Sequence, residues 1–306
     1  MIKLDAGLEV CMSEITASVI IASYNMRSMI GDCLDALLAQ KTAYSYEIIV
    51  ADSSNDGTAE WVAERYPTIM LLRLKERTFP GAARNAAIRI ARGEVLAFTD
   101  CDCIVSPEWL NTIIEDQHAD RPAVGGPVGN GTPWNPVGTA EYLLEFNSYL
   151  GRSARDVGVM PTCNISYRRD LFETFGLFPA TIKGSDSVFS RKISGAGISI
   201  LLDPAICMIH RNRTNLRGFF RNQYNLGIGS AQTRKIMPIS GAWLLKFPLL
   251  ALSIPFLRIV VISVRLLHWS PGNFLKFAAL FWLTIPGLFV FSAGFIQGVR
   301  QPLPEM

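Results

Sequence analysis

The sequence predicts an α/β domain on a mostly parallel sheet, followed by apolar helices that meet a membrane. Three observations carry this. Apolar runs of strand length alternate with helix-period stretches along the first third of the chain, the pattern of βαβ units. Those runs end in polar or acidic residues, and open α/β sheets bind ligands at the carboxyl ends of their strands. The charge is also divided. Residues 1–203 hold 18 basic and 25 acidic side chains, a formal net of −7, whereas residues 204–306 hold 11 basic and one acidic, a net of +10. The 306 residues suffice for one α/β domain of about 220 residues and a membrane appendage.

The elements follow in order. Ser18-Val19-Ile20-Ile21-Ala22-Ser23-Tyr24-Asn25 is a short buried strand that leaves into a polar loop. A helix follows with Ile30, Cys33, Leu34, Leu37 and Leu38 on one face. The second strand, Tyr46-Glu47-Ile48-Ile49-Val50-Ala51-Asp52, enters the turn Ser53-Ser54-Asn55-Asp56-Gly57, with a helix beginning near Thr58. A third strand, Ile69-Met70-Leu71-Leu72-Arg73-Leu74, precedes Phe79-Pro80-Gly81-Ala82-Ala83-Arg84-Asn85 and its helix. The fourth, Val95-Leu96-Ala97-Phe98, runs into Thr99-Asp100-Cys101-Asp102. Residues 125–136 read as a loop inside the domain, and residues 227–241, rich in Gly and Ser, as a linker.

Two carboxylates two residues apart at the end of a buried strand offer hard oxygen ligands to a divalent cation. Such a cation can neutralise a diphosphate. Asp-x-Asp by itself is also the composition of an Asp-rich turn or a helix cap. The same choice stands for Asp52, and Ser185-Asp186 ahead of an amphipathic stretch is either a helix N-cap or a catalytic carboxylate. Neither Gly-x-Gly-x-x-Gly nor Gly-Lys-Ser/Thr occurs, which counts against dinucleotide and P-loop sites. No nucleic-acid partner is expected.

In order and in approximate spacing, a series of motifs resembles the family 2 glycosyltransferases of the GT-A fold. They are residues 18–25, residues 52–58, Ala83-Arg84-Asn85, Gly93-Glu94, Asp100-Cys101-Asp102, Cys163-Asn164-Ile165-Ser166-Tyr167-Arg168-Arg169, Gly176-Leu177-Phe178, and Ser185-Asp186 with Arg191. Each alone is weak, but the series is specific. The resemblance covers roughly residues 16–235. It implies a Rossmann-like mixed sheet and transfer of a sugar, with inversion, from a nucleotide-diphosphate donor. It implies Asp102 as a ligand of Mg2+ or Mn2+, with Asp100 on the ribose or reaching the metal through water. His210 resembles a late histidine that completes the metal site, although the residues alone leave a core or surface histidine open. Asp52 is similar to the residue that hydrogen-bonds the base. Ala22, Ser23, Tyr24 and Asn25 line the same pocket, and Arg84 helps hold the nucleotide. Asp186 is similar to the general base, but the family shows Glu-Asp there and this chain has Ser185-Asp186. Arg211, Arg213, Arg217 and Arg221 follow at helical spacings. Arg221-Asn222-Gln223-Tyr224 is only faintly similar to the Gln-x-x-Arg-Trp of processive polysaccharide synthases, so a single transfer is expected rather than chain extrusion.

Residues 277–296 form an uncharged apolar run, about the 20 residues a helix needs to cross a bilayer, and read as a span. Residues 243–267 hold Lys246, Arg258, Arg265, Pro248 and Pro255 and read either as a span or as an in-plane amphipathic helix. His268-Trp269-Ser270-Pro271-Gly272-Asn273 suits the link of a hairpin, with Trp243, Trp269 and Trp282 near interfaces. An acid-free basic stretch of this kind suits a surface facing phosphates, on anionic lipid or on a phosphorylated substrate. The expected division is a tail over 1–15, a catalytic domain over 16–235, a membrane-associated helical hairpin over 236–300 and a tail over 301–306. The amino terminus shows no secretory signal, and with activated sugars as the donor the catalytic domain is expected on the cytoplasmic side of an inner or plasma membrane. All six cysteines read as reduced, and Cys101 and Cys103 lack the second pair that zinc needs.

The expected activity is transfer of a sugar to a hydroxyl of a membrane-proximal, lipid-linked glycan acceptor, in the making of cell-envelope polysaccharide. A polyprenyl-phosphate sugar synthase is the alternative enzyme. A non-catalytic, membrane-anchored nucleotide-sugar binder is the alternative of another class, and the intact Asp52, Asp100, Asp102 and Asp186 argue against it.

Overall fold

The structure, a computed structural model, describes residues 15–303. Residues 1–14, with Cys11 and the stretch in which no secretory signal was expected, lie outside the described residues, as does the end of the 301–306 tail. Four strands open the domain: β1 (Ala17–Ser23), β2 (Tyr46–Asp52), β3 (Met70–Arg73) and β4 (Val95–Asp100), joined by the helices α1 (Ile30–Leu38), α2 (Thr58–Arg65) and α3 (Pro80–Ile90). There follow β5 (Cys103–Val105), α4 (Trp109–His118), β6 (Ala123–Gly125), β7 (Val128–Asn130), α5 (Pro136–Phe146), β8 (Arg155–Val157) and β9 (Asn164–Arg168). The next elements are α6 (Arg169–Phe175), α7 (Ser185–Gly195), β10 (Ile200–Leu202), β11 (Met208–His210) and α8 (Leu216–Ile236). Short 3-10 helices at Ala242–Leu245 and Pro248–Ser253 lead to α9 (Ile254–Trp269), α10 (Pro271–Ala279) and α11 (Phe281–Arg300).

The main sheet has the order β3-β2-β1-β4-β9-β6-β10-β8. Its first half is parallel, as βαβ crossovers require. Its second half is mixed, because β9 runs antiparallel between β4 and β6. Six of the eight strands still run in one direction, β9 and β8 being the exceptions and β6 pairing parallel with β10, so the mostly parallel sheet expected from the alternation holds. A second, three-stranded sheet, β5-β11-β7, stands at the carboxyl end of β4.

Side-chain alternation sorts the strands onto two cores. Val19, Ile21, Ile48, Val50, Val95 and Ala97 face α1, α2 and α4. Ile20, Ile49, Leu96 and Phe98 face α3, α6 and α7. On that second side Phe98, Tyr167, Phe172, Phe178 and Phe189 form a ring cluster, with Phe172 and Phe189 stacked at 4.5 Å. Removing one such ring costs about 3–5 kcal/mol. Phe189 lies three residues after Asp186 on α7, so this cluster fixes the helix that presents that carboxylate.

The carboxyl-terminal region departs from expectation in three ways. Residues 227–236, read as linker, are the second half of α8. Their glycines serve close packing: a Cβ at Gly227 would overlap the Phe291 carbonyl oxygen, and one at Gly294 would overlap that of Tyr224. The run 277–296 is not one helix, because the chain breaks at Leu280, and Pro286 deprives α11 of one internal donor. Arg211 and Arg213 precede α8 and do not share its face; they pair with Asp32 and Glu141. Pro248–Trp269 and Phe281–Arg300 are each long and apolar enough to cross a membrane. Yet half of the α11 window is buried inside the protein, against 22% for Pro248–Trp269. The large exposed apolar side chains Phe256, Leu257, Val260 and Val264 all lie on α9.

Candidate active site

Three parallel strands bring the first residues together. The register sets Ser23 opposite Asp52 and Ala22 opposite Asp100, so the ends of β2, β1 and β4 form one rim. The Asp52 carboxylate accepts from the Ser54 hydroxyl at 2.6 Å and the Ser54 backbone N–H at 3.1 Å. The turn-cap reading of Asp52 is thus realised in the fold. The two rim loops are tied together: Asn25 N–H donates to Ser54 Oγ at 2.7 Å, and Asn55 N–H donates to Asn25 Oδ1 at 3.0 Å. Asn25 takes a left-handed backbone (φ 55°) to do so. Tyr24 lies under the Arg77 guanidinium at 4.7 Å.

Arg84, buried on α3, donates to Asp100 Oδ1 at 2.6 Å. Its neighbour Asn85 points elsewhere. Asn85 exchanges two hydrogen bonds with the Phe178 backbone, at 2.8 and 3.1 Å. One short motif therefore orients a rim carboxylate and pins the loop that leads to Asp186.

Asp102 meets its partner through the small sheet. Pairing of β11 with β5 sets His210 opposite Cys103, and pairing with β7 sets it opposite Asn130. His210 Nε2 lies 3.5 Å from Asp102 Oδ2. The other ring nitrogen, Nδ1, is 2.9 Å from Asn212 Oδ1. The Asn212 amide is oriented by its own donations to Asn130 Oδ1 at 2.9 Å and Thr132 Oγ1 at 3.2 Å. Its oxygen therefore faces the ring, so Nδ1 donates and Nε2 is the atom left facing the carboxylate. An imidazole nitrogen and a carboxylate oxygen that face each other can share a cation. Ligand atoms of Asp102, Cys103 and His210 all lie within 4.8 Å of one another. Burial pushes the Cys103 thiol well up, so it donates weakly to Asp102 Oδ1 rather than acting as a thiolate. Oxygen with one imidazole nitrogen fits Mn2+ better than Mg2+, which favours oxygen throughout.

Asp186 sits in the first turn of α7, after Gly184 in a left-handed conformation (φ 82°). Neither Ser185 nor Asp186 caps that helix. The Asp186 carboxylate accepts from the Ser187 N–H at 2.7 Å. Burial pushes it above the usual carboxylate range, and the Arg84 charge opposes that rise. Ser185 is buried against Gly81 of α3, whose added Cβ would lie 2.8 Å from the Ser185 oxygen. That packing leaves no space in this direction for the glutamate the resemblance implied.

A single cavity of about 920 Å³ joins these groups. Asp100, Asp102, His210 and Asp186 line it together with side chains of α8, α9 and α11.

Residues 18–176 match the family described as Glycosyl transferase family 2. The chain belongs to that family. Glycosyltransferase AglE of Haloferax volcanii is 31% identical to this enzyme over 232 residues, 73% of this chain and 75% of that one. Among solved structures, the mannosyltransferase PcManGT of Pyrobaculum calidifontis, in complex with GDP-Man and Mn2+, matches with a TM-score of 0.59 and 21% identity, over 93% of this chain and 85% of that one. GalNAc-T7 with UDP, GalNAc and Mn2+ matches with a TM-score of 0.53 and 17% identity, over 72% of this chain and 51% of that one. These likenesses carry the mixed α/β fold of the GT-A glycosyltransferases.

In this glycosyltransferase the sequence reading overlooked Asn212 and the pair Glu141 and Glu145. Glu141, fully buried, accepts from the Arg213 backbone and guanidinium and from Asn222 at 2.6 Å. Asn222 also bonds Glu145, so the polar run after Arg221 joins α8 to α5. Two acids four residues apart were the available signal. Asn212 gives a direct test. Asn212→Ala frees the His210 ring, and Mn2+ affinity is expected to fall by about 10- to 100-fold with the fold retained. Isothermal titration with Mn2+ measures this; unchanged affinity would remove Asn212 from the site.

Proposed function

We propose that this glycosyltransferase moves a sugar, with inversion, from a nucleotide-diphosphate donor to a hydroxyl of a membrane-proximal, lipid-linked glycan. One observation carries the reading: a single cavity is lined by the Asp102–His210 pair, by Asp186 and by apolar side chains of α9 and α11. In this reading residues 16–235 are the catalytic unit and 236–300 the membrane-associated element, with the catalytic unit on the cytoplasmic side.

Asp52 and residues Ala22 to Asn25 hold the nucleoside. Arg84 holds Asp100 toward the ribose and, through the same charge, keeps Asp186 ionisable. Asp102 and His210 hold a divalent cation, Mn2+ by their donor set, which neutralises charge on the leaving diphosphate. Asp186 takes the proton from the acceptor hydroxyl as that oxygen attacks the anomeric carbon, on the face opposite the leaving group. The raised affinity of Asp186 for protons suits a base better than an ordinary exposed carboxylate would. The small Ser185 packs α7 against α3 and takes no part in the proton transfer.

The test is a screen of sugar nucleotides for thermal stabilisation and for release of nucleoside diphosphate, with Mn2+, Mg2+ or chelator. Stabilisation by one donor class that needs the metal, with slow metal-dependent donor hydrolysis, is expected. Stabilisation without any hydrolysis or transfer would make the protein a nucleotide-sugar binder instead.

A further inference from the structure

The four residues from His210 to Arg213 leave the small sheet tightly held. Arg211 donates its backbone N–H to the Asp102 carbonyl at 2.8 Å and pairs with Asp32 of α1. Asn212 orients the His210 ring. Arg213 is gripped twice by one side chain. Its backbone N–H donates to Glu141 Oε2 at 2.6 Å, and its guanidinium Nη1 donates to Glu141 Oε1 at 2.8 Å. Glu141 is fully buried on α5, and Asn222 of α8 donates to it as well, at 2.6 Å. The segment that begins with His210 therefore ends in an arginine whose position is fixed.

That position is informative. An ion pair with a buried member is often no more stabilising than well-packed apolar side chains of similar volume. What this pair supplies is orientation. A guanidinium has five N–H donors. Glu141 takes one of them, and the Arg213 side chain meets no second acceptor among the described residues. That side chain is 44% exposed, and it lines the cavity together with Asp102, His210 and Asp186. Asp102 lies within its electrostatic reach. The two other arginines tied to this region are committed, Arg84 to Asp100 and Arg211 to Asp32. Arg213 is thus a fork of free donors, fixed from behind, in the cavity that Asp102 and His210 line.

We propose that Arg213, oriented by Glu141, donates hydrogen bonds to the diphosphate of the donor, beside the cation held by Asp102 and His210. This rests on the transferase reading above and adds a residue to its leaving-group site. A guanidinium fork matches phosphate oxygens in both geometry and charge. When the bond from the anomeric carbon to the diphosphate oxygen breaks, its electron pair stays on that oxygen. The charge that gathers there strengthens the hydrogen bonds it accepts. No proton leaves Arg213 in this step, because a guanidinium stays protonated in proteins.

The test uses the full chain and two titrants followed by calorimetry: Mn2+ alone, and the 1:1 complex of Mn2+ with inorganic diphosphate. Neither depends on the nucleobase. Wild type is expected to bind the complex at least about 10-fold more tightly than Mn2+ alone. Arg213→Gln is expected to bind Mn2+ as wild type does and to lose about 10-fold on the complex. Arg213→Lys, which keeps the charge without the fork, is expected to lose less. Because Arg213→Gln leaves Glu141 buried without its partner, the double variant Glu141→Gln/Arg213→Gln is measured alongside. An arginine that served only to neutralise Glu141 would let the double variant recover wild-type affinity for the complex. The double variant is expected to stay as weak as the single one. Recovery in the double variant, wild-type affinity of Arg213→Gln for the complex, or equal binding of Mn2+ and its diphosphate complex by wild type would overturn the proposal. Stabilisation by a sugar nucleotide, run in parallel, separates the two levels. If metal-dependent donor binding persists while the arginine variants bind the complex normally, only the role of Arg213 is lost. If wild type binds neither a donor nor Mn2+, the transferase reading itself fails.

Discussion

Asp102→Asn is expected to cut transfer by about a thousand-fold and to abolish the metal dependence of donor binding in the same step. The substitution keeps the shape of the side chain, so β4, β5 and the small sheet that carries His210 are left in place. What changes is the charge facing Nε2 of His210, now 3.5 Å from the carboxylate. A neutral amide is a weak ligand for a divalent cation, and the imidazole alone holds it poorly. A cation on a leaving diphosphate supplies several kcal/mol of stabilisation, and about 4 kcal/mol is three decades in rate. The measurement is turnover against Mn2+ concentration for wild type and variant, with donor affinity followed in parallel. Normal turnover of the variant without added metal would remove Asp102 from the cation site.

The donor rim was legible in the sequence for a physical reason. Buried parallel strands need continuous apolar runs, and those runs stop where the chain reaches the ligand edge. Asp52 and Asp100 are the last residues of β2 and β4, as the apolar runs before them indicated. The small sheet was not legible as a sheet. Its three strands have three residues each, too short to show a period, and pair across about a hundred positions of sequence. So His210 was found by type and motif, whereas Asn212, which orients it, was missed.

The carboxyl-terminal region misled for a different reason. Glycine and serine favour flexible chain, but they also permit two helices to approach closely, and composition does not separate the two uses. Gly227 and Gly294 face each other's helix backbones, so α8 and α11 pack as one unit. The same packing explains why an uncharged stretch of span length is half buried inside the protein. Exposed apolar side chains are most numerous on α9, whose Arg258 and Arg265 line the cavity, with others at Leu249, Leu250 and Leu252 before it and at Trp282 and Phe289 of α11. Sequence had offered an in-plane reading for that segment beside a spanning one; an apolar outer face suits either, and Pro248–Trp269 is long and apolar enough to cross a membrane.

Asp186→Asn carries the sharpest expectation for the chemistry. The amide is nearly isosteric and can still accept from the Ser187 N–H, which now bonds the carboxylate at 2.7 Å. The ring cluster around Phe189 holds α7 regardless of this side chain. Donor affinity should therefore persist, while transfer falls by about 100- to 10,000-fold, the range set by loss of a positioned base. The pH dependence gives a second, independent readout. Burial raises the Asp186 carboxyl above the usual carboxylate value of about 3.9, with Arg84 holding it partly back. Only the ionised form accepts a proton, so the wild-type rate rises with pH through that raised value and levels off above it. The acid limb of the rate profile should lie higher than an exposed aspartate would place it, and Asp186→Asn should lack that limb. Arg84→Gln should move the limb further up, because the charge that opposes the rise is gone. Loss of donor affinity with residual turnover unchanged in Asp186→Asn would make this residue a structural support, and the proton acceptor would then have to be sought elsewhere along the cavity, where Glu145 is the remaining acid besides Asp100 and Asp102.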